Sequence, residues 1–326
     1  VNYLTSSSKR HIRELLAAKL KKNDFGEYLE DSVEVRSAID DAIAKIDRKL
    51  ILIDYLGRLF SGLSLGSILL LAAMGLAITY GLLGVINLAH GEMLMIGAYA
   101  TYVTQQVFAS FLPNFFDLYI LAAIPMAFLS AAVIGVLLER TVIRWLYGRP
   151  LETLLATWGI SLFLIQSVRQ IFGAQNVEVS NPNWLSGGVE LWNVVMPFNR
   201  IAIIIFAVFV LGGIWLVISQ TRLGLFIRSV TQNRSMASCV GVNTAKIDML
   251  AFGLGSGIAG LAGVALSQIG NVGPDLGQAY IIDSFMVVVL GGVGQLAGTV
   301  YAAIGLGGFS KLIEPSVGAV LAKIII

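Results

Sequence analysis

The chain contains one cysteine, Cys239, and two histidines, His11 and His90. A single thiol excludes an internal disulfide and any CxxC metal site. No HExxH pattern occurs, which removes the common zinc-hydrolase motif, and no Gly-Lys dipeptide occurs, which removes a P-loop. Charge is scarce as well. Only 13% of the 326 residues are Asp, Glu, Lys or Arg, against about 25% in a soluble globular protein. The net charge of +2 is too small to point to nucleic acid as a partner.

What is present is apolar bulk, 56% of the chain, and 35 glycines. Small residues let membrane helices approach closely where lipid supplies no hydrophobic drive between them. The charges that do occur are concentrated: residues 1–58 hold 11 of the 22 Lys and Arg and 10 of the 20 Asp and Glu. The chain therefore divides into a charged N-terminal segment, 1–58, and a membrane domain, 59–326.

Within 9–53, Ile12, Leu15, Leu16 and Leu20 recur at helical spacing, as do Val35, Ile39, Ile43 and Ile46, with a break at Asn23 to Gly26. This predicts a small helical extramembrane appendage. The apolar run 59–108 is about 75 Å of helix, enough for two crossings of a core about 30 Å thick. Further runs at 118–138, 153–168, 201–221, 249–274 and 284–310 each supply one. The stretch 315–326 is too short to span by itself and reads as part of a further segment, just as a signal peptide ahead of Val1 is allowed for. The expected fold is all-α and polytopic, with about eight membrane segments, because lipid cannot satisfy free backbone groups.

Orientation follows from Lys and Arg. Arg140, Arg144 and Arg149 lie in one linker, and Arg222, Arg228, Arg234 and Lys246 in another; both are expected in the cytoplasm. The stretch 173–199 has no Lys or Arg but carries Trp184 and Trp192, and is expected outside. Counting back places 109–116 outside, and two crossings in 59–108 place residues 1–58 outside too.

The densest polar cluster in an apolar setting is GVINLAHGEMLMIGAY (84–99), with Asn87, His90 and Glu92. Ionisable groups at membrane depth are costly and usually face a bundle interior or a wet cavity. Gly81, Gly84 and Gly91 would let the helix unwind there. The alternative is that His90 and Glu92 pair at a membrane surface between two spans. Asp283 and Gln295, in the late apolar region, complete the candidate pathway set.

In the basic loop 222–248, residues 233–239 can form a short helix with Gly241 as a left-handed stop. Such a helix could dock into a partner's groove, or the loop could be an ordinary amphipathic surface. Two patterns, Gly255-Ser-Gly257-Ile-Ala-Gly260 and Gly292-Val-Gly294-Gln-Leu-Ala297, resemble dinucleotide fingerprints. Both lie in apolar runs without a βαβ unit, so helix packing is the expected role, with Gly253/Gly257 and Gly294/Gly298 at GxxxG spacing.

The pieces INLAHGE (86–92), the basic loop 221–248 and the run to residue 300 resemble the permease subunits of branched-chain amino-acid-type ABC importers. YGRPLETLLATWG (147–159) and SQIGNVGPDLGQAYIIDSF (267–285) resemble most closely the members of that family that carry urea. The resemblance implies a pseudo-symmetric helical permease in the bacterial inner membrane. It also implies a second homologous permease subunit, two ABC ATPase subunits and an extracytoplasmic binding protein as partners. No cofactor is expected in this chain; ATP would be used by the ATPase subunits. By the same resemblance Arg228, Asn233, Met236, Ala237, Gly241 and Asn243 belong to the element that meets an ATPase. The expected substrate is urea, with a branched-chain or other polar amino acid as the alternative. A stand-alone channel would call for more intramembrane carboxylates, and an intramembrane enzyme for a nucleophile paired with a base.

The orientation is testable by thiol labelling in a Cys239→Ser background. Single cysteines at Ser7 and Ser110 should react with an impermeant reagent in intact cells, while one at Ser235 should react only after the membrane is opened. Protection of position 7 alone would put residues 1–58 in the cytoplasm.

Overall fold

The computed structural model describes residues 10–20, 32–84, 86–191, 194–318 and 321–322. The break expected at Asn23 to Gly26, Trp192 and the end of the C-terminal run lie outside the described residues. In chain order the helices are α1 (Arg10–Lys19), α2 (Val33–Leu83), α3 (His90–Phe111), α4 (Tyr119–Thr141), α5 (Pro150–Phe172) and α6 (Phe198–Gln220). There follow α7 (Arg222–Gln232), α8 (Arg234–Cys239), α9 (Thr244–Ser267), α10 (Leu276–Gly291) and α11 (Leu296–Val317). A two-stranded hairpin, β1 (Gly188–Leu191) with β2 (Val194–Pro197), lies between α5 and α6.

The N-terminal segment does not end where its charge ends. Ser32 caps α2, accepting the Val35 N–H at 3.4 Å, and the helix then runs unbroken through residue 58 for 51 residues. That is about 77 Å, more than twice a bilayer core. No Pro interrupts it, and the change from amphipathic to apolar sequence alters its surroundings without altering its backbone. α1 packs on its polar half, with Leu16 buried against Ile39, Ala42 and Ile46 and Arg13 bound to Asp47 at 2.7 Å. Leu15, expected on the same stripe, is exposed, because it points about 100° around the helix from Leu16.

Among the described residues, six helices are long and apolar enough to cross a membrane: α2, the stretch Pro113–Trp145 containing α4, α5, α6, α9 and α11. α10 is shorter at 16 residues. α3 has 22 residues, but Thr101, Thr104 and Gln105 on its buried side lower its hydropathy. The run 284–310, read above as one span, is two helices. Gly292 and Gly294 adopt φ of +81° and +77° there and turn the chain between α10 and α11. The second glycine pattern is thus a turn and not a helix-packing motif, since the left-handed region favours glycine at both positions.

The first pattern does pack. α9 lies against α2, α3 and α4, and its glycines bring backbones together. A Cβ on Gly255 would stand 2.7 Å from the Gly75 carbonyl oxygen of α2, and one on Gly260 2.5 Å from that of Ala127 of α4. Gly97 of α3 meets the Gly260 backbone in the same way, and Gly62 and Gly66 of α2 receive α11 at Gly308 and Ala303.

The two ends of the bundle separate as the charge pattern requires. At one end Arg234 stacks on Tyr147 at 4.2 Å, joining the two basic linkers. At the other, Asp117 accepts the Asn183 N–H at 2.9 Å, and Val177 pairs with Val272. Leu83 of α2 packs with Ile143 and Phe252 at the basic end. Ser61 and Ser64 share a cavity with Asn176 and Asn271 at the other. Residues 33–60 therefore extend from the hairpin end, the end that also carries the 113–118 turn.

Gly97→Ala should overpack the α3–α9 contact and cost about 1–3 kcal/mol, seen as an earlier thermal transition of the purified chain in detergent. Gly159→Ala on α5, where a Cβ meets nothing within 4 Å, should be neutral or stabilise by up to about 1 kcal/mol.

Candidate functional site

Gly84 ends α2 at φ +66°, its N–H bonded to the Tyr80 carbonyl at 2.8 Å. The chain then doubles back. His90 Nε2 lies 3.3 Å from the Ala72 carbonyl oxygen, a point about 16 Å back along α2 from its end. Residues 86–89 therefore lead inward from the basic end, and α3 starts near mid-depth. Asn87 organises that start. Its Oδ1 accepts the Ala89 N–H at 3.1 Å and its carbonyl accepts the His90 N–H at 3.1 Å. Glu92 sits in the first turn of α3, where the free amides favour a negative group, and accepts the Ser161 hydroxyl at 2.8 Å.

Asn87, His90 and Glu92 are all buried. His90 and Glu92 are not a surface pair: each has its own partner, on α2 and α5 respectively. Among the described residues, His90 Nδ1 and Glu92 Oε2 have no hydrogen-bond partner, which leaves two buried polar atoms with bonding capacity at mid-depth. Sequence reasoning missed the α5 contribution. Thr153, Thr157 and Ser161 form, with Ile165, the buried face of α5, and Thr157 Oγ1 accepts the Leu88 N–H at 3.3 Å. Polar residues four apart on an apolar helix were the signal available.

From the opposite end the connection between α9 and α10 also leads inward. Val177 and Val272 exchange backbone hydrogen bonds of 2.8 and 2.9 Å, and Arg169 Nη2 donates to Asp275 Oδ1 at 2.7 Å. α10 then begins against α3: a Cβ on Gly91 would lie 2.7 Å from the Gly277 carbonyl oxygen. Two helix N-termini thus meet inside the bundle, one reached from each side. Discontinuous helices meeting in this way supply polar backbone to a membrane interior.

A cavity of about 470 Å³ opens beside this point, walled by α2, α10 and the connection before α10. Its polar lining includes Ser61, Ser64, Asn176, Arg200, Asn271 and Lys311. Ser64 Oγ is buried and, among the described residues, has no hydrogen-bond partner. A second cavity of about 180 Å³ shares Leu65, Tyr280 and Lys311 with the first and reaches Asp283 and Glu314. Of the five candidate pathway residues, Asp283 is in these walls; Asn87, His90 and Glu92 form the separate mid-depth cluster. Gln295 is exposed in the α10–α11 turn and joins neither.

The basic loop folds as α7 and α8. Asn233 caps α8 by accepting the Met236 N–H at 2.9 Å, and Asn243 caps α9 by accepting the Lys246 N–H at 3.1 Å. Gly241 has φ +88°, the left-handed stop expected. Arg228 and Met236 are exposed, whereas Ala237 is buried against its own chain. Ala237 therefore seats the helix, and Ser235, Met236, Ser238 and Cys239, with Val240 just beyond, face outward. Tyr147, beside this loop, has its phenol pKa pushed up by burial first and by Asp248 and Glu139 next, so it stays neutral.

Ser161→Ala strands a buried Glu92 oxygen and should cost about 1–3 kcal/mol. Glu92→Gln keeps an acceptor for Ser161 and should cost less. Thermal unfolding of both variants in detergent checks the order.

Residues 58–326 match the family described as "Branched-chain amino acid transport system / permease component". The chain is 32% identical over 260 residues to the high-affinity branched-chain amino acid transport system permease protein BraD of Pseudomonas aeruginosa, covering 78% of this chain and 84% of that one. It is 30% identical over 261 residues to the corresponding protein LivH of Escherichia coli K12, with the same coverage of 78% and 84%. A probable LivH of Methanocaldococcus jannaschii is 25% identical over 244 residues, covering 71% and 72%. No solved structure matches. These relatives are permease subunits of transport systems and not enzymes, and such permeases work in the inner membrane with ATPase and binding-protein partners. With its apolar helices, re-entrant segments and a match over the whole membrane domain, the chain belongs to the branched-chain amino acid transport system permease family.

Proposed function

We propose that this chain is the transmembrane subunit of an ATP-driven, binding-protein-dependent importer of urea. It works beside a second homologous permease, and two ATPase subunits supply ATP hydrolysis. The observation that carries the reading is the wall of the 470 Å³ cavity. Much of it comes from 269–280, inside the stretch whose sequence resembles urea-carrying members of the family. Two of its charged groups are already paired within the chain, Asp275 with Arg169 at 2.7 Å and Lys311 with Glu314 at 2.5 Å. That favours a neutral solute recognised by hydrogen bonds, for which Ser64, Asn176 and Asn271 supply donors and acceptors. Beyond it, the free positions on His90 and Glu92 offer the same chemistry at mid-depth.

A second reading, a branched-chain amino acid, is favoured by the relatives' printed functions and by Arg200 in the cavity wall, which suits a carboxylate. Residues 1–58 lie outside in either case, and the exposed face of α8 meets an ATPase.

Proteoliposomes carrying the chain with its ATPases, supplied with the binding protein and ATP, should accumulate labelled urea, and excess leucine should not compete. Leucine uptake without urea uptake would transfer the assignment to the second reading. Urea flux through the chain alone at the full rate would make it a channel.

A further inference from the structure

The short helix α8 has few ties to the membrane bundle. Ala237 is its buried residue, and its caps bond only to neighbouring backbone. Its first residue, Arg234, reaches further. The guanidinium donates to both carboxylate oxygens of Asp248, with Nη1 3.2 Å from Oδ1 and Nη2 bonded to Oδ2. Asp248 is fully buried near the start of α9. The same guanidinium lies over the Tyr147 ring at 4.2 Å, in the linker between α4 and α5. Glu139, buried at the end of α4, adds a second carboxylate to the cluster, with Arg140 and Arg144 as its other charged neighbours. One side chain on α8 thus grips two elements of the bundle, α9 and the α4–α5 linker, beside the charge of a third.

The grip has direction. A bidentate guanidinium–carboxylate pair resists sliding and rotation, which a contact of small apolar side chains such as Ala237 does not. Tyr147 closes off one face of the guanidinium and limits it to the plane that Asp248 needs. Asp248 in turn belongs to the helix whose glycines hold α2, α3 and α4 at backbone distance. A displacement of α8 is therefore delivered to the most connected helix of the membrane domain.

We propose that Arg234 is the positioning residue that transmits movement of α8 to the membrane helices, through its ion pair with Asp248 braced on Tyr147. This rests on the reading of α8 as the element that meets an ATPase, and assigns the residue by which that contact is passed on.

Removing one partner alone strands a buried charge, so the informative variant is the double change Arg234→Gln with Asp248→Asn. It is assayed in the full transporter with its ATPases and binding protein, next to Arg234→Lys. Two quantities are read: solute moved per ATP hydrolysed, and photo-crosslinking from a reagent attached to the native thiol of exposed Cys239. The double variant should still crosslink to an ATPase subunit, while solute moved per ATP falls by about tenfold, within the usual range of coupling between sites. Arg234→Lys keeps the charge but not the fork and should fall in between. Crosslinking with wild-type stoichiometry in the double variant would overturn the role of Arg234 and leave the docking of α8 intact. Loss of crosslinking and assembly together in that variant would make the pair a folding element only, and would also overturn it. Absence of any crosslink to an ATPase in the unmodified transporter would overturn both readings.

Discussion

Backbone-to-backbone contact through glycine holds this molecule together, and α9 is where it concentrates. In water, helices associate because burial removes apolar surface from solvent. In lipid that drive is absent, so close packing and dispersion must suffice, and both require that nothing project between the helices. Gly255, Gly257, Gly260 and Gly263 clear the faces of α9 toward α2, α4 and α3, and Gly75 and Gly97 clear the opposing sides. Because three helices meet α9 at such short range, none can shift independently of it.

This packing makes room for a costly feature, chain that leaves helical geometry inside the bundle. The segment after Gly84 and the connection before α10 expose backbone groups where lipid could not satisfy them. They persist because other elements answer them: Asn87 for the start of α3, Thr157 for Leu88, and Val177 for Val272. The resulting interior holds polar groups in an apolar shell. Such a place offers hydrogen bonds away from lipid.

The two ends have different characters for the same electrostatic reason. Basic linkers gather at one end, where Arg234 is held by Asp248 and Tyr147. The hairpin end has no Lys or Arg between 173 and 199 and is closed by backbone pairing and by Arg169 with Asp275. α8 is tied to the bundle at the basic end by a charged joint. The other end holds the cavity walled by α2, α10 and the connection before α10.

The membrane class, the separation of the basic linkers from the stretch without Lys or Arg and the short capped helix α8 were legible in the sequence, whereas the split of 284–310 into α10 and α11 was not. Each legible feature depends on local quantities: run length, the placement of Lys and Arg, and the Asn and Gly that begin and end a helix. The same holds for the stripe of Ile39 and Ile46 on α2. Tertiary structure alone decided that α2 passes through residue 58 without a break, because a helix ends where its caps are and not where its charge stops. It also decided the depth of His90, since nothing in GVINLAHGE says whether the chain after Gly84 stays at the surface or turns back. The partners of Glu92, Asp275 and Arg234 come from residues 69, 106 and 14 positions away. Sequence spacing marks a polar group as unusual; only the packed fold determines which other group answers it.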